Sequence, residues 1–139
     1  MTYWDTSAVI WFYGRGRIDE ISGITRTHTL AELFSALTGQ GVEIEKNGRK
    51  RQIKFSPPAG AAILSHIRPR FQYVDLSSEE IEKALKSAQL KAVQGGRVHD
   101  YFHAVAAAKA QASELFTIDE NDFVGLGTVP LINPAQRSA

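Results

Sequence analysis

Short apolar or β-branched runs alternate with longer helical patterns along nearly the whole chain, and this alternation limits the fold more than any other feature. Thr2 to Trp4 reads as a short buried strand. Thr6 or Ser7 can cap a following helix that runs through Ala8-Val9-Ile10-Trp11-Phe12-Tyr13 to a stop at Gly14. Ile24 to His28 predicts a second strand, and the helix after it, Thr29 to Gly39, places Leu30, Leu33, Phe34 and Leu37 on one face. Pro57-Pro58 starts a helix that reaches Ile67, Phe71 to Val74 reads as a strand, and Ser77-Ser78-Glu79-Glu80 is a capping box ahead of Ile81, Ala84, Leu85 and Ala88. Beyond Gly95-Gly96, Arg97 to Ala112 predicts an alanine-rich helix with Val98, Phe102, Val105 and Ala106 as its inward stripe. Leu115 to Thr117 and Val129 to Ile132 supply the last strands. Such an order predicts an α/β fold, a mainly parallel central sheet flanked by helices.

One segment breaks the alternation. Val42 to Phe55 alternates about Asn47-Gly48, a pair that supplies the positive φ angles of a type I′ turn, so a β-hairpin is inserted near residues 42–55. The 139 residues suffice for one domain, expected over 1–133, with a loose C-terminal tail over 134–139. The chain has no cysteine, which excludes disulfides and thiolate zinc sites and fits a reducing compartment. No apolar stretch approaches a membrane span and Asp5 arrives too early for a signal peptide, so a soluble, cytoplasmic protein is expected. With 16 basic against 15 acidic residues, any nucleic-acid footprint must be local.

The acids are placed where a core rarely needs them. Asp5 and Asp119 each follow a predicted strand, at the strand ends where an open parallel sheet collects ligands. Glu32 and Asp100 lie in the first turns of helices that can face the same crevice. Four such carboxylates brought together raise one another's pKa unless a cation sits among them. An open, oxygen-rich site without Cys favours Mg²⁺ or Mn²⁺ and phosphate-bearing substrates. Each acid also has a structural reading: Thr29-x-x-Glu32 could be a capping box, Asp5 an N-cap, Asp100 a helix-dipole acid, and Asp119 and Asp122 turn residues.

Four blocks in order, Asp5-Thr6-Ser7, Thr29-x-x-Glu32-Leu33, Asp100-Tyr101-Phe102-His103-Ala104 and Thr117-Ile118-Asp119-Glu120-Asn121-Asp122-Phe123, resemble the PIN domain family, the nuclease fold of VapC-type bacterial toxins. The resemblance spans residues 3 to 123. It implies a single PIN-like domain and a divalent-metal-dependent endoribonuclease, the toxin of a toxin–antitoxin pair. Asp5, Glu32, Asp100 and Asp119 would form the acidic quartet, with Asp5, Asp100 and Asp119 as metal ligands and Glu32 orienting water or holding a second ion. Thr6 and Thr117 would be hydroxyl helpers and Asp122 an outer or alternative ligand. A cognate antitoxin and a homodimer, formed through apolar faces of the first or third helices, are the implied partners. The chain departs from the family pattern in an extra residue between Asp119 and Asp122 and in its long hairpin.

Cations that could grip RNA are Arg15 and Arg17 after the first helix, and Arg49 and Arg51 in the hairpin beside Lys46, Lys50 and Lys54. Two other functions stay open at this stage. One is a non-catalytic PIN-fold module that binds RNA or protein; the other is a zinc hydrolase using His99 and His103, at the i, i+4 spacing of His-Glu-x-x-His but with Asp100 in place of the glutamate.

Overall fold

The computed structural model describes residues 1–127 and 129–137. Strand β1 (Thr2–Trp4) leads into α1 (Thr6–Gly14), then β2 (Gly23–Thr25) into α2 (His28–Thr38). The hairpin β3 (Val42–Lys46) and β4 (Arg49–Ile53) follows, then α3 (Pro57–Ile67), β5 (Phe71–Tyr73), α4 (Ser78–Leu90) and α5 (Arg97–Lys109). The chain continues through β6 (Glu114–Phe116), a 3₁₀ turn at Glu120–Phe123, β7 (Leu131–Ile132) and a one-turn helix α6 (Pro134–Arg137). The expected tail therefore starts as a helical turn, and its residues 138 and 139 lie outside the described part.

Five strands form one parallel sheet in the order β5-β2-β1-β6-β7, while β3 and β4 pair antiparallel as a separate ribbon. The period-2 geometry of a strand splits neighbouring residues between the two faces. Tyr3 and Leu115 join Ala84, Ala88, Tyr101, Ala104 and Ala107 under α4 and α5. Trp4 joins Val9, Phe12, Leu33, Ile67 and Phe71 under α1, α2 and α3. Each fully buried large side chain of these two cores contributes about 1.5–3 kcal/mol.

The hairpin is docked, not free. Asn47 and Gly48 take φ of 54° and 76°, as the predicted turn requires. A Cβ added to Gly14 would lie 2.1 Å from the Glu43 carbonyl oxygen, so only glycine at the end of α1 lets β3 approach that closely. Two expectations need correction. The inward face of α5 is Tyr101, His103, Ala104, Ala106 and Ala107, with Val98, Phe102 and Val105 only half-buried, because the helix packs through its small residues. Helix α2 begins at His28, which makes Thr29 an interior residue and no cap. On α1 and α3 the large apolar side chains that are not buried are only half-exposed, whereas Leu85 and Leu90 of α4 are open to solvent. Among the described residues no helix is long and apolar enough to cross a membrane.

Candidate metal centre at the strand ends

Strand order reverses between β1 and β6, and the loops leaving these two strands open the crevice where parallel sheets bind ligands. Asp5 leaves β1 and is itself the N-cap of α1, a role for which the sequence offered Asp5, Thr6 and Ser7. Its Oδ1 accepts from the Ala8 amide at 2.9 Å and from the Ser7 hydroxyl at 2.8 Å, so the cap engages a single oxygen. Ser7 in turn accepts from the Ile118 amide at 3.0 Å and lies 3.4 Å from the Thr117 hydroxyl, tying the loop after β1 to the loop after β6. Thr117 accepts from the Asp119 amide at 3.0 Å, which fixes the turn that presents Asp119 and Asp122. Asp100 projects from the first turn of α5.

Electrostatics place the four aspartates within one field. Burial, followed by the charges of Asp122 and Asp5, then Asp119 against an opposing His103, pushes the Asp100 carboxyl up to about 6. Burial also raises Asp5, against the charge of His103 and the polar groups of Thr117, Ala8 and Ser7. Burial and then Asp122 raise Asp119. Among the described residues no lysine or arginine forms an ion pair with any of these four. Arg26, buried after β2, instead lies over the Phe102 ring at 5.5 Å. Carboxylate oxygens that raise Asp100 and Asp119, with no lysine or arginine paired to them among the described residues, make a donor set that fits a hard divalent cation such as Mg²⁺ or Mn²⁺.

Glu32 is held by a different set of partners. Its Oε1 accepts from the Thr6 hydroxyl at 2.9 Å and meets His103 Nε2 at 2.9 Å, while Tyr3 Oη meets His103 Nδ1 at 2.8 Å. Burial pushes the Tyr3 phenol far up, so it keeps its proton; with the Glu32 carboxylate accepting from Nε2–H, the His103 ring is held at both nitrogens. Burial works to raise Glu32 as well. The hydrogen bond and charge of His103, with Thr6 and His28, outweigh it and hold the carboxyl below its ordinary range. The capping-box reading of Thr29 and Glu32 does not hold, since Glu32 bonds across to α1 and α5.

The pairing of His99 with His103 also fails. His103 is 2% exposed with both ring nitrogens engaged, and the His99 ring instead stacks on His28 at 6.2 Å. Sequence reasoning gave Tyr3 and Ser7 no role in the site beyond Ser7's place in the first block, and it offered His103 only in the third block and as a zinc ligand beside His99, not as the partner of Glu32 and Tyr3. Of the expected cations, Arg15 pairs with Glu43 at 2.8 Å and Glu45 at 3.3 Å and covers Trp11, and Arg17 pairs with Glu20 at 2.6 Å. Arg49 and Arg51 line one face of the hairpin with Lys46, Ile44 and Ile53, and no carboxylate pairs with them among the described residues. A shallow groove leads from Asp119 past Ser7 and Trp11 to Arg15 and Glu43.

No family model matches this chain, and no curated protein matches it. Among solved structures it resembles that of VapBC2 from Rickettsia felis bound to a DNA fragment from their promoter. The match covers 96% of this chain and 98% of that chain, with a TM-score of 0.60 and 15% sequence identity. At that identity the likeness is one of fold, the parallel α/β sheet flanked by helices.

Proposed function

We propose that this chain is a divalent-metal-dependent endoribonuclease of the PIN type, acting as the toxin of a toxin–antitoxin pair. The observation that carries the reading is that Asp5, Asp119 and Asp122 all raise the Asp100 carboxyl beside the switch point, with no lysine or arginine paired to any of the four among the described residues. Asp5, Asp100 and Asp119 would hold Mg²⁺ or Mn²⁺, with Asp122 beside them. When bound, the ion supplies a water of lowered pKa and neutralises charge on the phosphodiester oxygens. Ser7 and the Ala8 amide keep the Asp5 carboxylate in one orientation, and Thr117 does the same for the Asp119 turn. Glu32, held at Oε1 by Thr6 and His103, would use its other oxygen either to orient the attacking water or to hold a second ion.

RNA would reach these acids along the groove beside α1, with Arg49 and Arg51 as the uncompensated cations for its phosphates. Arg15 and Arg17 are paired with carboxylates, which offsets part of their charge toward a phosphate. The fold's likeness to a VapBC structure supports an antitoxin partner, whose cationic side chain would suit an acidic pocket that lacks one. A homodimer belongs to the same reading. The test is incubation of tag-free protein with structured RNAs in Mg²⁺, in Mn²⁺ and in chelator, alongside Asp5→Asn. Fragments that need metal and vanish in the variant support the proposal; the same fragments from Asp5→Asn overturn it.

A further inference from the structure

We propose that His28, Glu32 and His99 form a second metal site, selective for Zn²⁺ and similar transition-metal ions and distinct from the aspartate pocket. His28 and Glu32 are four residues apart on α2, so they share one face of that helix, and α5 brings His99 against them. One ligand atom from each of the three lies within 4.8 Å of the other two. Tetrahedral zinc, with bonds of about 2.0–2.1 Å, needs its ligand atoms about 3.3 Å apart. Both imidazoles are exposed, and rotation about their side-chain torsions can close that gap without moving the backbone.

Three features separate this cluster from an accidental meeting of polar residues. First, neither imidazole makes a hydrogen bond among the described residues, although each is able to, and the rings lie nearly parallel at an interplanar angle of 16°. Second, Glu32 is oriented from behind, through Thr6 and through His103, which Tyr3 orients in turn. That is the outer-shell support that metal-ligating carboxylates receive. Third, the donor set is two nitrogens and one oxygen, with the open side toward solvent. Imidazole donors favour zinc, cobalt, nickel and copper, whereas the all-oxygen aspartate pocket favours Mg²⁺ and Mn²⁺. The site has three protein ligands and an open side for a water as the fourth, the pattern of open zinc sites.

The decisive experiment is a titration of metal-free, tag-free protein with Zn²⁺ by calorimetry and with Co²⁺ by visible absorption, without RNA. The wild type is compared with His28→Ala, His99→Ala, Asp5→Asn and the surface control His66→Ala, each checked for folding by circular dichroism. The proposal expects one equivalent of Zn²⁺ and the d–d absorption of four-coordinate Co²⁺. Since losing even an outer-shell partner typically weakens binding 10- to 100-fold, removal of either histidine ligand should weaken it at least about tenfold. Asp5→Asn and His66→Ala should leave it in place. Binding that survives His28→Ala and His99→Ala, binding abolished by Asp5→Asn, or no binding in the wild type would each overturn it. None of these readouts depends on nuclease activity, so the site stands or falls apart from the ribonuclease reading.

Discussion

The aspartate pocket and the His28–Glu32–His99 cluster sit at the same end of the sheet, yet they are made in different ways. The aspartates come from loops leaving β1 and β6 and from the start of α5, and Asp5 is only 4% exposed. Burial raises Asp5, and burial with neighbouring carboxylates raises Asp119 and, to about 6, Asp100. The histidine cluster joins two helix surfaces, with both imidazoles in solvent. Backbone position builds the first and side-chain reach builds the second. A charged group that the fold forces into place needs a compensating ion, whereas an exposed pair of imidazoles is content with water until a metal arrives.

Breaking the first region should have the largest effect. If the aspartates act as proposed, Asp5→Asn or Asp100→Asn lowers the metal-dependent cleavage rate roughly 100- to 1,000-fold, the scale of removing one preorganised electrostatic group. Single-turnover assays check this, and a loss of less than about tenfold would remove the pocket from the chemistry.

Stability should respond in the opposite direction. The folded-state Asp100 pKa of about 6 lies above its unfolded value of about 3.9, so the native state binds the extra proton between these pH values. Stability from this group is therefore lost as pH rises from about 4 to 6 and stays lost above. In metal-free buffer Asp100→Asn should gain about 1–2 kcal/mol at pH 8, a figure discounted because the carboxyl is partly solvated, and the gain should fade below about pH 4. Thermal melts across pH check it, and saturating Mg²⁺ should raise the melting temperature of the wild type more than that of the variant.

The link between the regions can be probed at Tyr3. Tyr3→Phe removes the hydrogen-bond partner of His103 Nδ1 inside the core and should destabilise the protein by about 1–3 kcal/mol. It should also weaken Zn²⁺ binding if His103 orients Glu32 for the second site. The smallest effect is expected at the hairpin: Arg49→Ala with Arg51→Ala should flatten the salt dependence of RNA binding by about two phosphate contacts, leaving cleavage of saturating RNA nearly unchanged. An unaltered slope would assign those arginines to keeping the ribbon soluble.

Much of this was readable from residues because of where the chain turns. Asn47-Gly48 and Ser77-x-x-Glu80 are local signals, and both appear in the structure as expected. Asp5 could be placed at a strand end from Tyr3 and Trp4 alone. Its service as the helix cap was one of three options, since Thr6 and Ser7 are comparable caps and only packing decides where α1 starts. The inward face of α5 was misjudged because alanines give a hydrophobic pattern little contrast, so the bulkier Val98, Phe102 and Val105 set the phase. His103 and the His28–His99 meeting depend on how closely α2 and α5 approach, a tertiary distance that no sequence spacing encodes.

Mn²⁺ binding followed by electron paramagnetic resonance, in tag-free wild type and in Asp5→Asn, tests the shared-cation account most directly. The account predicts that the wild type removes Mn²⁺ from the free signal, increasingly so as pH passes about 6 and Asp100 ionises, and that the variant does so at least about tenfold more weakly. Equal Mn²⁺ uptake by both proteins, or none by either, would contradict it.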